Sequence, residues 1–90
     1  MLLYISMNSK QKRTLAAIFS APTPKNLTWS ECVSLLKACG CDVVEGDGSR
    51  VSFVKDDLVL HLHKPHPQKE CKPYMVRQMR GHLEDLGVKP

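Results

Sequence analysis

The sequence predicts a small α+β domain: a helix, three antiparallel strands and a second helix, with both helices on one sheet face and a short helical arm in front. Three observations predict it. Apolar residues recur at helical spacing over residues 28–40 and again over 72–87. Between them, residues 41–63 carry strand patterns that alternate with a period of two, broken at Gly46-Asp47-Gly48 and at Asp56-Asp57. Ninety residues also suffice for one thin core only, since a chain of this size buries about 60–65% of its unfolded surface.

The elements follow in order. "SKQKRTLAAIFS" reads as a short helix with Leu15, Ile18 and Phe19 on one side. Lys10, Lys12 and Arg13 crowd its first turn, where the helix dipole disfavours cations, so they are read as facing solvent or a partner. Two prolines in "APTPKN" make an extended connector. Residues 1–27 are therefore read as a basic arm and proline linker, an appendage to a domain over residues 28–90.

"TWSECVSLLKACG" begins with a capping box, Thr28 with Glu31 three residues on, in which each side chain satisfies a backbone N–H at the other's position. Trp29, Cys32, Val33, Leu36 and Cys39 form its apolar stripe, and Gly40 ends it. "CDVVE", "SRVSFVK" and "LVLHLH" are the three strands. In the second, Val51 and Phe53 share one face while Arg50, Ser52 and Val54 share the other; in the third, Leu58, Leu60 and Leu62 oppose Val59, His61 and His63. "KPYMVRQMRGHLEDLG" is the last helix, with Pro73 near its first turn, Met75, Val76, Met79, Leu83 and Leu86 on its stripe, and Gly87 at its end. Two helices can cover only one face of such a sheet, so the face bearing Arg50, Ser52, His61 and His63 is left open. Trp29 and Tyr74 are read as core residues rather than stacking platforms.

Composition narrows the function. There are 13 Lys and Arg against 9 Asp and Glu, a formal charge of +4, which favours a polyanionic partner such as RNA or an acidic protein. No run approaches the roughly 18 apolar residues of a membrane span. The start, "MLLYISMNSKQKR", places five apolar residues before its cationic cluster, the wrong order and length for a secretory signal, and Met7 is an alternative start. A reduced, cytoplasmic protein is expected, with Cys32, Cys39, Cys41 and Cys71 as small core residues.

"HLHKPHPQ" then puts His61, His63 and His66 beside Lys64 within six residues. As exposed strand and loop residues they need no function. As a metal site the pair His61 and His63, even with His66, is short of good ligands, because the cysteines belong to the core side and no C-x2-C pair exists. No metal and no cofactor are expected. The third reading is acid–base chemistry on a phosphodiester: one imidazole takes a proton, another gives one, and Arg50 and Lys64 stabilise the extra negative charge. RNA supplies its own nucleophile, the ribose 2′-hydroxyl.

The order of a helix, "EGDGSRVSF", "HKPHP" and a last helix ending "LEDLGV" resembles the HicA (YcfA-like) toxins of toxin–antitoxin systems, and "KRTLAAIFSAPTP…LTWSECVSLLKACG" is similar to a longer subgroup of that family. The resemblance implies a double-stranded-RNA-binding-domain-like fold, metal-independent cleavage of mRNA, and a HicB-like antitoxin that masks the active face; DNA would be reached only through the antitoxin complex. It further implies a catalytic histidine after Gly-Ser at the start of the second strand. Here the triplet is Gly48-Ser49-Arg50, and an arginine that does not lose its proton cannot be the base. The reading therefore assigns acid–base work to His63, with His66 or His61 as its counterpart, and phosphate or substrate contacts to Ser49, Arg50, His61 and Lys64. The alternative is a non-catalytic RNA- or protein-binding module on the same fold.

Overall fold

A computed structural model of the protein describes residues 6–90. The segment on which the reading of the N-terminus rests, residues 1–5, lies outside the described residues. The elements are α1 (Ser9–Ile18), α2 (Trp29–Ala38), β1 (Asp42–Glu45), β2 (Arg50–Lys55), β3 (Leu58–His63) and α3 (Pro73–Asp85). The three strands form one antiparallel sheet in the order β1-β2-β3. This is the expected α-β-β-β-α order behind an N-terminal helix.

Local chemistry explains the ends of the helices. Thr28 Oγ1 accepts from the Glu31 N–H at 3.2 Å, and Glu31 Oε1 accepts from the Thr28 N–H at 3.0 Å, closing the expected capping box. Asn8 and Gln11 build a second one at the start of α1. Gly40, at φ +91°, ends α2 in the left-handed region that glycine enters without penalty. Lys55 reaches over from β2 and donates to the Cys39 carbonyl at 3.2 Å, placing a cation at that helix's negative end.

The core lies on one side of the sheet. Val51, Phe53, Leu60 and Leu62 point into it and are buried, as the alternation in β2 and β3 requires. Leu36, Cys32 and Trp29 of α2 meet them, and the Trp29 and Phe53 rings contact edge to face, 5.7 Å apart. Met75, Val76, Met79 and Leu83 of α3 complete the layer. Leu86, assigned to the α3 stripe, is only half-buried.

Two readings need correction. The N-terminal helix is not an appendage: α1 packs against α2 and α3, and Leu15 and Ile18 are among the buried residues of the common core. Its cover also explains why Leu35, off the expected stripe, has no exposed surface while Val33 is half-buried: α2 is apolar toward two neighbours at once. Arg80 of α3 fixes the arrangement, its Nε donating to the Ile18 carbonyl at 2.8 Å and Nη2 to that of Ser20 at 3.3 Å. Tyr74 is likewise not a core residue. It is 50% exposed, because it stands one position before Met75 and so turns about 100° away from the buried stripe.

Candidate active face

The second face of the sheet carries no helix. The register sets Arg50 directly opposite His63 and Ser52 directly opposite His61, so their Cβ atoms are about 4.5–5.5 Å apart. All four lie on the open side, and Arg50, His61 and His63 are exposed. Val44 and Val59, both exposed, share this face. The one-residue slip that would have turned both histidines inward does not occur, because Leu60 and Leu62 gain more from burial than two imidazoles would.

Each strand histidine is held by a serine across the β2–β3 pairing. Ser49 Oγ lies 3.1 Å from His63 Nδ1, and Ser52 Oγ lies 2.8 Å from His61 Nδ1. A hydroxyl both donates and accepts, so it serves either tautomer. A ring acting as base needs its lone pair on Nε2 and its proton on Nδ1. A ring acting as acid carries protons on both nitrogens. In both states Nδ1–H donates to the serine, so the same tether orients the ring before and after proton transfer. Ser49 is itself fixed by the strand, since its carbonyl accepts from the Lys64 N–H at 2.8 Å.

Arg50 is set by the hairpin before it. The Gly46 N–H donates to the Arg50 carbonyl at 2.8 Å, and Gly48 takes φ +62° in the turn. The Arg50 stem lies over Gly46: a Cβ built there would meet Arg50 Cδ at 3.3 Å. A side chain at 46 would therefore press on the guanidinium's stem.

The loop after β3 brings the remaining residues to the same end of the sheet. Lys64 and His66 line a cleft with His63, about 190 Å³ in volume. The far end of the loop is held where the Trp29 N–H donates to the Lys69 carbonyl at 2.9 Å and the Cys71 N–H to that of Leu27 at 2.8 Å. His63, Ser49, Arg50, Lys64 and His66 are thus one neighbourhood, whereas His61 stands two residues back along β3 with Ser52 as its partner. Among the described residues no three His, Cys, Asp or Glu side chains come together as metal ligands would, and no helix is long and apolar enough to cross a membrane. All four cysteines are buried thiols. A hydrogen bond to Cys71, then burial, pushes the Cys32 thiol far up, and burial raises Cys39 to about 11.

Sequence reasoning missed three things. Lys72 and Tyr74 line the same cleft, and the signal for Tyr74 was its place off the apolar stripe of α3. His82, left unread, is buried in the core with its Nε2 3.7 Å from Cys41 Sγ; its spacing three residues after Met79 was the available clue.

Fold and face together define a basic α+β domain with a histidine-rich open sheet. Over residues 29–88 the chain matches the family described as HicA toxin of bacterial toxin-antitoxin, and it belongs to that family. The match covers the sheet, α2, α3 and every residue of the open face, and α1 precedes it. Comparison with curated proteins and with solved structures gives no match.

Proposed function

We propose that this toxin is a cytoplasmic, metal-independent endoribonuclease that cleaves mRNA, with a HicB-like antitoxin as its protein partner. The observation that carries the reading is the Arg50–His63 pair, with Ser49 tethering the imidazole. An imidazole thereby stands across one strand pairing from the position where the family's motif has its histidine, and arginine stands at that position.

In this reading His63 Nε2 takes the proton of the ribose 2′-hydroxyl, and the oxygen attacks the adjacent phosphorus. His66, or His61 from along the strand, gives a proton to the departing 5′-oxygen, and the P–O5′ bond breaks. The products are a 2′,3′-cyclic phosphate and a 5′-hydroxyl. Arg50 and Lys64 balance the charge that gathers on the non-bridging oxygens. The antitoxin would cover the open face, where Val44 and Val59 offer apolar surface beside the cations.

The test is cleavage of a mixed-sequence RNA by antitoxin-free protein in excess EDTA, with wild type, His63→Ala, Arg50→Ala and Ser49→Ala side by side. Cyclic-phosphate ends from wild type are expected. His63→Ala should lose about 100-fold or more in rate, as removal of a general base does, and Ser49→Ala about tenfold in kcat with KM held, as loss of a ring's tether does. Intact RNA in the presence of folded wild type sinks the reading. The second reading, a non-catalytic RNA- or protein-binding module, is favoured by Arg50 standing where the family's motif has histidine, and that result would select it.

A further inference from the structure

The cleft that begins at His63 does not end with the histidines. Beyond Lys64 and His66 it is lined by Gln68, Lys72 and Tyr74. No carboxylate lines it, two ammonium groups do, and Tyr74 is the only large aromatic residue that is more than one-third exposed among the described residues. A single exposed ring is unremarkable on a protein surface. This one shares a concave space with two imidazoles that the nuclease reading uses and with two lysines.

The size of the space limits its occupant. At about 190 Å³ it is smaller than the roughly 300–1,000 Å³ that encloses a drug-sized ligand. One flat group fits there, with the rest of its molecule in solvent. An aromatic ring, two ammonium groups and the absence of acid suit an unpaired base with its phosphate, since every base has a face to stack and every nucleotide a charge to place. The first turn of α3 adds to this: it holds no acidic residue, and its N-cap, Lys72, makes no side-chain cap.

We propose that Tyr74 is the stacking platform for the unpaired nucleobase adjoining the scissile phosphate, with Lys72 against that nucleotide's own phosphate. The assignment rests on the nuclease reading and extends it: the substrate is single-stranded at this position, and one flanking base is gripped by its face rather than by its edge. Stacking tolerates any base, so the subsite fixes register along the strand rather than sequence.

The experiment uses the full chain and a short labelled oligoribonucleotide containing the site that wild type cuts. A 2′-deoxy substitution there allows binding without cleavage. Affinity is read by anisotropy for wild type, Tyr74→Phe, Tyr74→Ala and Lys72→Ala, with each flanking nucleotide in turn made abasic. Tyr74→Phe should keep wild-type affinity, and Tyr74→Ala should lose about 5- to 150-fold, the range that stacking one base supplies. One abasic probe should cost wild type a similar factor and cost Tyr74→Ala almost nothing further. Lys72→Ala should weaken every probe and reduce the salt dependence by about one phosphate contact. If wild type binds and cuts RNA but Tyr74→Ala binds equally well, or the two losses simply multiply, the stacking subsite is wrong and the nuclease stands. If wild type neither binds nor cuts, both fall.

Discussion

His82 shows how a single residue's surroundings outweigh its type. Helical spacing carries it into the core, where burial holds its pKa below the ordinary 6.5, and Asp85 only partly opposes the shift. A base whose folded value is depressed makes stability pH-dependent in one direction. Above pH 6.5 the ring is neutral in both states. As pH falls through 6.5 the unfolded chain takes the proton first, so stability declines until the folded ring titrates as well. The urea midpoint should therefore fall between pH 7.5 and pH 5.5, and that part of the fall should vanish in His82→Leu. An unchanged midpoint in wild type would mean that the ring is not shielded from water. On the open face, by contrast, neighbours are what matter: Ser49 in the turn before β2 and Ser52 within it meet His63 and His61, and so orient two exposed rings.

Among the elements, α2 is the one whose ends and cap could be read in advance, while its stripe was read in part, Leu35 being buried outside it. Its capping box also predicts a measurable loss. Thr28→Ala removes the acceptor for the Glu31 N–H and should cost about 1 kcal/mol in chemical unfolding. Glu31 adds a pH signature with the opposite chemistry to His82. Backbone and side-chain hydrogen bonds from Thr28 hold its carboxyl below the usual 4.5. A depressed acid contributes stability that is present above its unfolded value and disappears as pH falls through the folded one. Acid unfolding of Glu31→Gln should accordingly lose a part of its steepness below pH 4.5. The strands were legible for a simpler reason. Alternation in β2 and β3 allows one register that buries Val51, Phe53, Leu60 and Leu62 together, and that register puts the histidines outside.

For the whole molecule, the N-terminal helix is where sequence and structure part. Its composition is polar and basic, so it reads as an arm, yet Leu15 and Ile18 are buried and Arg80 of α3 caps its last turn. Ile18→Ala should then cost about 2–5 kcal/mol, as a large core truncation does, and should lower the stability of the entire domain in one transition. A variant that left the main transition in place and melted α1 separately would return α1 to the status of an appendage. What the sequence determined by itself was the order of elements, the caps of α2, the two faces of the sheet and the set of side chains on the open one. Each depends on neighbours within a few residues or on a period, and both can be read along a chain. What only the tertiary structure decided was which of these meet: Ser49 with His63, α1 with α2 and α3, His82 with Cys41, and Tyr74 with the histidine loop. Those pairings join residues from 8 to 62 positions apart, and they are settled by the burial of one shared core rather than by any local preference.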